Sequence, residues 1–301
     1  MTPLRIGIVG LGGICRSRHI PGLRRIEAVE IAAVANRTRE SSERAAREFA
    51  IPVVSDSWES LVARGDLDAV LIGAWPYLHH PVSIAALESG KHVFCQARMA
   101  LNYSEAKEMR ACAQRTGRVA MLCPVPIGLS VDATIARMLR DGALGAIRLV
   151  RAQSFSNAYA SPGAPMNWRK DHRLSGLNMH TMGMFIEVVH RWFGWTRTVS
   201  AQTQIVIPER TDSEGQRVRV QIPDQVLINS ELECGALAQY VFSAIVHQGQ
   251  DRIEVFGEKA SLRYDVSADT LEIARPERSW ERVSVLPEDA YDLENWRVEQ
   301  D

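Results

Sequence analysis

The sequence of 301 residues is long enough to bury the cores of two domains of ordinary size. A formal net charge of −1 and a hydrophobic content of 46% are typical of a globular protein, and they exclude a surface that attracts nucleic acid or membranes by bulk charge. No apolar run reaches the roughly 18 residues of a membrane helix, and the N-terminus lacks the pattern of a signal peptide. We therefore expect a cytoplasmic protein whose partners include neither nucleic acid nor a membrane.

The cysteines number five, and no two of them form a C-x-x-C pair. An odd number without such a pair argues against a disulfide framework and against a zinc site. The sequence therefore predicts no bound metal and is typical of a reducing compartment.

The first structural signal is a short apolar strand over residues 5–9 that runs into a glycine-rich turn. A helix-like segment follows, and a second apolar strand spans residues 29–35. The order of strand, glycine turn, helix and strand is the unit that places the pyrophosphate of a dinucleotide on a helix N-terminus. The alternative is a structural turn in an unrelated α/β protein.

The glycines of this turn have different expected structural roles. Gly10 permits the tight bend, and Gly12 lets the backbone approach the phosphates. The third small residue of the usual fingerprint is Cys15, which is a mild departure. We expect Gly10, Gly12, Gly13 and Ile14 to contact the cofactor.

The end of the second strand indicates which dinucleotide is bound. An acidic residue there would accept hydrogen bonds from a ribose 2′-hydroxyl, but this chain has Asn36 followed by Arg37 and Arg39. Arginine can bind a 2′-phosphate in a bidentate manner, so the sequence favours NADP(H), with NAD(H) as the alternative. We expect all three residues to lie at the cofactor. A second interpretation is that the two arginines are simply solvated residues at a helix start.

Strand and helix patterns alternate as far as residue 123, which predicts a parallel sheet wrapped by helices. Beyond this point the strands lengthen and their apolar residues alternate, with one strong helix over residues 179–193. This second pattern predicts a large, mostly antiparallel sheet with one open face. The predicted fold is α/β, with a doubly wound parallel sheet over residues 1–123 followed by an α+β domain over residues 124–301.

A series of short motifs runs through essentially the whole chain. They are Asp68-Ala69-Val70, Pro76, His79, residues 85–93 (AALESGKHV), residues 141–145 (DGALG), residues 168–171 (WRKD), residues 191–194 (RWFG) and residues 255–262 (VFGEKASL). In this order they resemble the Gfo/Idh/MocA oxidoreductases, relatives of glucose–fructose oxidoreductase and inositol dehydrogenase. The resemblance implies a Rossmann domain, a second domain whose open sheet often serves as an oligomer interface, and hydride transfer between a nicotinamide and a hydroxyl of a sugar or polyol.

The resemblance also implies cofactor contacts in two loops. In the family, the loop after the strand over residues 68–74 packs against the nicotinamide ribose. Trp75, Pro76 and His79 belong to that loop. Gln96 stands where the family carries the glutamate of a Glu-Lys-Pro motif, and we expect it at the cofactor as well.

The rest of that motif departs from the family. Ala97 replaces a lysine that assists proton transfer, and alanine has no titratable group. Arg98 replaces a proline that is often cis, and because a non-proline cis bond costs roughly 2.5–4 kcal/mol we expect a trans peptide here. Because an arginine side chain keeps its proton at physiological pH, Arg98 is a poor proton shuttle. We expect Arg98 either to bind a carboxylate or phosphate at the site, or to form a salt bridge between the domains.

A second departure lies in the predicted helix over residues 179–193. Thr181, Phe185 and Val188 occupy the positions where the family places its acid/base aspartates and histidine. His180 lies one residue from such a position and is a candidate for contact with the substrate. Alternatively, its side chain caps or packs.

The loop before this helix supplies the remaining candidates. Trp168 and Arg169 match a family motif near the cleft, and Asp171 is a candidate replacement acid or base. With His180 and Arg98 they complete the predicted catalytic set.

Two functions are consistent with these observations. The first is an NADP(H)-dependent oxidoreductase that acts on a sugar, polyol or related small molecule with non-standard acid/base residues, and that forms a homo-oligomer through its C-terminal sheet. The second is a nucleotide-binding family member without net dehydrogenase activity, either a lyase or hydrolase that uses the bound cofactor or a binding or sensor protein.

Overall fold

The computed structural model describes residues 2–123, 130–177, 179 and 181–285, which form two compact units. The first unit holds residues 2–123 and His172–Gly176, and the second unit holds the other described residues. The predicted domain boundary after residue 123 adjoins residues outside this set, and it stays a prediction. That a short segment from far along the chain belongs to the first unit was not predicted.

The first unit is built on a six-stranded sheet in which every pairing is parallel. In the order β3-β2-β1-β4-β5-β6, the strands are β1 (Leu4–Val9), β2 (Val29–Ala35), β3 (Val53–Val54), β4 (Ala69–Ile72), β5 (His92–Cys95) and β6 (Ala120–Leu122). All four residues of β4 are buried, as a sheet covered on both faces requires. The predicted doubly wound parallel sheet is confirmed.

Helices follow the strands of this sheet. They are α1 (Ile20–Leu23), α2 (Arg39–Glu48), α3 (Trp58–Val62), α4 (His79–Glu88) and α5 (Tyr103–Thr116). Local sequence sets several ends: Thr38 and Ser57 form capping boxes at the starts of α2 and α3, and Gly117 ends α5 in the left-handed conformation. A π-helical turn, Cys15–His19, precedes α1, and a 3₁₀ turn, Pro76–Leu78, precedes α4.

The second unit contains an eight-stranded sheet of order β16-β15-β14-β13-β7-β12-β11-β8 and a separate two-stranded ribbon of β9 and β10. Its strands are β7 (Ile147–Phe155), β8 (Thr196–Gln204), β9 (Glu209–Thr211), β10 (Arg217–Arg219), β11 (Gln225–Leu232), β12 (Leu237–Ser243), β13 (Arg252–Gly257), β14 (Ser261–Asp265), β15 (Thr270–Ala274) and β16 (Glu281–Arg282). Its helices are α6 (Asp132–Arg140) and α8 (Met182–Phe193), while α7 (His172–Ser175) lies in the first unit. Only β7 and β12 pair in parallel, so the predicted, mostly antiparallel sheet is confirmed.

The two faces of the large sheet differ in burial. On one face Val150, Ala152 and Val255 are buried, and Phe185 of α8 packs edge-on against Phe242 with ring centroids 6.0 Å apart. On the other face, cross-strand neighbours are half-buried or exposed, and Leu237 is 61% exposed. This is the alternation expected for an antiparallel sheet with one open side.

One predicted element bound is wrong. The helix predicted from residue 179 begins at Met182, and Thr181 is its N-cap residue. The hairpin of β9 and the short β10 was not predicted. Asp212 shapes that hairpin, since its carboxylate accepts hydrogen bonds from the backbone N–H groups of Glu214 and Gln216.

The close approach of the strand ends depends on Gly10, so Gly10→Ala is expected to destabilise the first unit. Gly10 has φ +81°, and a Cβ there would overlap the backbone of Ala74. Left-handed backbone and overpacking together predict a loss of about 2–5 kcal/mol in the free energy of unfolding, measured by urea denaturation. Gly13→Ala is the matched control, because no atom lies within 4 Å of a Cβ placed there. Equal unfolding midpoints for the two variants would contradict this account.

Candidate functional site

The glycine turn after β1 is held by backbone hydrogen bonds and by one thiol. Gly10 N–H donates to Ala35 O at 2.9 Å, and Gly12 N–H donates to Gly10 O at 2.9 Å. The buried Cys15 places its Sγ 3.6 Å from Gly10 O, and the same Sγ fills the space where Gly73 lacks a side chain. Cys15 therefore serves as the small residue that lets the helical segment lie close to β4.

The backbone beyond the turn is accessible. A helical segment begins at Gly13, so the first N–H groups, including those of Gly13 and Ile14, have no acceptor within it. Gly12 and Gly13 are exposed, and Ile14 is half-buried. This arrangement can bind the anionic groups of a cofactor through main-chain amides.

Asn36 connects the glycine turn to the start of α2. Its Oδ1 accepts a hydrogen bond from Leu11 N–H at 2.7 Å, and its Nδ2 donates to Ser41 O at 3.0 Å. Its backbone N–H donates to Ser42 Oγ at 2.8 Å. The side chain of Asn36 is thus engaged by the protein and fixes the shape of the turn.

The two predicted arginines have different environments. Arg39 forms ion pairs with Glu43 and Asp56, and the hydrogen bonds that its guanidinium donates to Glu43 and, to a lesser extent, to Asp56 raise the pKa of Arg39. Arg37 is exposed, and its Cζ lies 5.6 Å from the centroid of the Trp75 ring. No ion pair joins Arg37 to any described carboxylate. Of the two guanidinium groups, that of Arg37 is therefore the one whose charge no described carboxylate balances.

His79 joins the turns that follow β4 and β5. Its ring is buried, with Nε2 3.0 Å from Ala74 O and Nδ1 2.5 Å from Arg98 O. Burial lowers the pKa of His79, while the two carbonyl contacts act in the opposite direction. Pro76, also buried, opens the 3₁₀ turn between Ala74 and His79. Both residues shape the loop in which sequence analysis placed them.

Gln96 is anchored at the end of β5. Its backbone N–H donates to Ile72 O at 2.9 Å, and its Oε1 lies 3.0 Å from Nε2 of the buried His19. His19 also packs edge-on against Phe94, with ring centroids 5.3 Å apart. The amide of Gln96 is therefore oriented by the protein.

The expectation of a trans bond before Arg98 is wrong, because the Ala97–Arg98 peptide is cis. Arg98 is contacted through both its backbone and its side chain. Its carbonyl oxygen lies 2.5 Å from His79 Nδ1, and its guanidinium donates to Ser175 Oγ at 2.5 Å and to Ser175 O at 2.9 Å. Next to Ser175, a Cβ on Gly176 would overlap Leu101 O. Arg98 therefore holds the segment His172–Gly176 against the first unit.

The second unit contains a cleft of about 260 Å³ whose lining includes Ser156, Tyr159, Arg169, Lys170, Thr181 and Ser243. At its base, Lys170 Nζ lies 2.6 Å from Asp224 Oδ1 and 3.1 Å from Pro223 O. Both partners of this ion pair are buried, and burial lowers the pKa of Lys170 despite the opposing effect of Asp224. The other carboxylate oxygen of Asp224 accepts from Val206 N–H and Ile207 N–H at 2.8 and 3.0 Å.

Sequence analysis missed the role of Lys170. The residue lies inside the WRKD motif, which is the one local signal, but its partner is 54 positions away. The loop is also held by the buried Arg210, whose guanidinium donates to the carbonyl oxygens of Tyr159, Ser161 and Ala164 at 2.7–3.0 Å. Two buried cations therefore fix the wall of the cleft that carries Tyr159.

The predicted catalytic residues of the second unit are placed differently. Arg169 lines the cleft and stacks on Trp168, with Cζ 4.2 Å from the ring centroid. Asp171 is half-buried and is not among the described lining residues. His180 lies outside the described residues.

Two of the three residues that the resemblance aligned with the family's acid/base positions are apolar residues of α8. Phe185 and Val188 are buried in the core, while Thr181 lines the cleft. Within the described ranges, no cluster of three His, Cys, Asp or Glu side chains could hold a metal ion, and no helix is long and apolar enough to cross a membrane. None of the five cysteines forms a disulfide.

Comparison with known proteins gives matches over most of the chain. Residues 4–123 match the family described as "Oxidoreductase family, NAD-binding Rossmann fold", and residues 133–263 match the family described as "GFO/IDH/MocA C-terminal domain". An uncharacterised oxidoreductase of Synechocystis is 26% identical over 269 residues, which cover 86% of this chain and 71% of the relative.

Levoglucosan dehydrogenase of Pseudarthrobacter phenanthrenivorans is 24% identical over 263 residues, which cover 80% of this chain and 66% of the relative. The crystal structure of an oxidoreductase domain protein from Kribbella flavida superposes with a TM-score of 0.86 at 25% identity, covering 98% of this chain and 84% of that one. With both of its parts matched in order, this chain belongs to the GFO/IDH/MocA oxidoreductase family.

Proposed function

We propose that this protein is an NADP(H)-dependent oxidoreductase that acts on a hydroxyl or carbonyl group of a sugar, polyol or related small molecule. The observation that carries the proposal is the glycine turn after β1, where exposed backbone at Gly12 and Gly13 leads into the first amides of a helical segment. A side chain at Gly13 would meet no protein atom, so the space beside this turn is open to a pyrophosphate. The predicted contacts at Trp75, Pro76, His79 and Gln96 belong to the same proposal.

The preference for NADP(H) rests on charge at the end of β2. No carboxylate stands there, and Asn36 is engaged by Leu11 and Ser41. Arg37 presents a guanidinium that no described carboxylate balances, and such a group suits a 2′-phosphate. Arg39 contributes less to this proposal because Glu43 and Asp56 already balance its charge.

The substrate class is proposed from the family and from the cleft of the second unit. The relative named levoglucosan dehydrogenase acts on a sugar-like compound, although this chain covers only 66% of its length. The cleft of about 260 Å³ offers hydroxyl groups of Ser156, Tyr159 and Thr181 that suit a small polar molecule. A bound nicotinamide would supply the hydride acceptor or donor.

A proton must still move to or from the substrate oxygen. Ala97 cannot move it, and Arg98 is engaged by Ser175, so we assign Arg98 a positioning role. Asp171 and His180 are the proposed proton-transfer candidates, and Trp168 and Arg169 are proposed to contact the substrate.

The second candidate function is a cofactor-binding protein without net dehydrogenase turnover. It is favoured by a specific observation: Phe185 and Val188 bury apolar side chains where the family carries acid/base groups. Cofactor binding is common to both functions, so it tests the shared proposal, and turnover separates them.

Binding of the reduced dinucleotides tests the cofactor assignment. By isothermal titration calorimetry, we expect NADPH to bind more tightly than NADH, and Arg37→Ala to weaken NADPH about tenfold while leaving NADH nearly unchanged, because one charge-assisted interaction is lost. Arg44→Ala, at another arginine with a solvent-exposed side chain, in α2, is the control and should change neither affinity. Absence of heat with both dinucleotides in folded protein would refute the proposed function.

Turnover tests the proton-transfer candidates. We expect a panel of sugars, polyols and keto acids to include a compound that changes the nicotinamide absorbance, and Asp171→Asn or His180→Gln to lower kcat by about 100-fold or more. Thr116→Val, on α5 of the first unit, is the control variant. Unchanged kcat in both variants would clear both residues of the role, and silence across the panel with intact NADPH binding would favour the second function.

The open face of the large sheet is proposed as a homo-oligomer interface. Leu237 lies beside Leu149 across the β12–β7 pairing, and Leu149 lies beside Phe256 across the β7–β13 pairing, so an apolar row crosses three strands. Leu227 on β11 is also 49% exposed. Leu237 and Leu227 are exposed, and Leu149 and Phe256 are half-buried; apolar residues grouped in this way are typical of a surface that another protein copy covers.

Light scattering coupled to size-exclusion chromatography tests this interface. We expect the wild-type protein to be oligomeric and Leu237→Lys to shift it towards the monomer, because a buried charge would be left unpaired in the assembly. Tyr103→Lys, at a 77% exposed position on α5, should leave the mass unchanged. A wild-type monomer, or a Leu237→Lys oligomer of full mass, would rule out this surface.

A further inference from the structure

We propose that the cleft of the second unit recognises an anionic group on the substrate through the guanidinium of Arg169. The inference rests on the proposed function, whose substrate class it narrows from sugars and polyols in general to negatively charged ones, such as aldonates or sugar phosphates.

The first argument is the balance of charge in the cleft. The described lining residues include Arg169 and Lys170 but no aspartate or glutamate. Lys170 is neutralised by Asp224, since its Nζ lies 2.6 Å from Asp224 Oδ1 and both side chains are buried. The charge of Arg169 is therefore the one that no described group in the cleft offsets.

The second argument is the state of the Arg169 side chain. Its guanidinium stacks on the Trp168 ring at 4.2 Å from the centroid, and it forms no ion pair with a described carboxylate. Stacking uses the face of the guanidinium and leaves the N–H donors at its edge available. The backbone N–H of Arg169 is held by Asn167 Oδ1 at 3.0 Å, so the residue is positioned before any ligand arrives.

The third argument concerns the hydrogen bonds of two other lining residues, Lys170 and Tyr159. Lys170 Nζ donates to Asp224 Oδ1 and to Pro223 O, and the guanidinium of Arg210 donates to Tyr159 O at 2.7 Å. The Tyr159 ring also faces the Lys170 ammonium, which lies 4.8 Å from the ring centroid. A rigid wall that presents an arginine is a suitable site for a carboxylate or phosphate oxygen pair.

The fourth argument concerns neutral ligands. The hydroxyl groups of a neutral polyol are donors that carboxylates bind strongly, and the described lining offers no carboxylate. It offers instead the hydroxyls of Ser156, Thr181 and Ser243, which serve either as donors or as acceptors. The cleft therefore gives an anionic group its strongest partner and a neutral hydroxyl only ordinary ones.

The test uses the full chain saturated with NADPH, after binding of NADPH has been measured by itself. Labelling of Arg169 by phenylglyoxal is followed by mass spectrometry in the presence of matched probes, gluconate against glucitol and glucose 6-phosphate against glucose. We expect at least one anionic probe to slow the labelling of Arg169 with a midpoint about tenfold lower than that of its neutral partner. Protection by gluconate alone identifies a carboxylate as the ligand group, and protection by the phosphate alone identifies a phosphate.

Two controls separate this site from bulk ionic effects. Labelling of Arg148, an exposed arginine of β7 outside the cleft lining, should not change with any probe. In calorimetry, Arg169→Gln should abolish the preference for the protective anion, and Arg148→Gln should retain it. Equal protection by neutral and anionic probes, no protection by either anion, or a preference that survives Arg169→Gln would overturn the inference. Normal NADPH binding in those cases would leave the proposed function intact, whereas absent NADPH binding would refute the proposed function and, with it, the inference that rests on it.

Discussion

The first unit depends on the absence of a side chain at Gly10. Because no Cβ stands there, the backbone at Ala74 can lie against the turn after β1, and the Cys15 thiol can fill the space at Gly73. The position of Ala74 in turn fixes one of the two carbonyl groups that His79 contacts. The shape of the glycine turn and that of the loop after β4 therefore depend on each other. The exposed backbone of the glycine turn is suited to bind the pyrophosphate of a dinucleotide.

Arg98 and Phe185, which the resemblance aligned with functional positions of the family, form structural contacts. Arg98 joins the turn after β5 to Ser175, and Phe185 packs against Phe242 in the core of the second unit. A side chain that packs or ties two segments together is no longer available to move a proton. The proposed catalytic candidates therefore lie elsewhere, in the loop that carries Trp168, Arg169 and Asp171 and at His180.

Local patterns predicted most of the fold, whereas contacts between distant residues were beyond sequence reasoning. The order of strand, glycine turn and helix predicted the parallel sheet, because buried strands and capped helices have sequence signatures within a few residues.

The contacts that were missed join residues far apart in the sequence. The Lys170–Asp224 pair spans 54 positions, and the docking of α7 on the first unit depends on Arg98 and Gly176, which are 78 positions apart. The cis bond at Ala97–Arg98 was not expected, because a non-proline residue stands at the position where the family often carries a cis proline. The helix predicted from residue 179 begins at Met182, three residues later than expected, with Thr181 as its N-cap residue.

The buried lysine of the second unit illustrates why position and charge must be considered together. Lys170 has the right chemistry for proton transfer, and burial lowers its pKa. Its ammonium, however, donates to Asp224 and Pro223 O and lies 3.5 Å from Ile222 O, so the charged form satisfies all three N–H donors. Loss of the proton would leave the carboxylate of Asp224 buried without its counter-ion, which costs several kcal/mol (roughly 3–5). Lys170 therefore supports the cleft as a fixed cation, and the recognition of a ligand falls to its exposed neighbour Arg169.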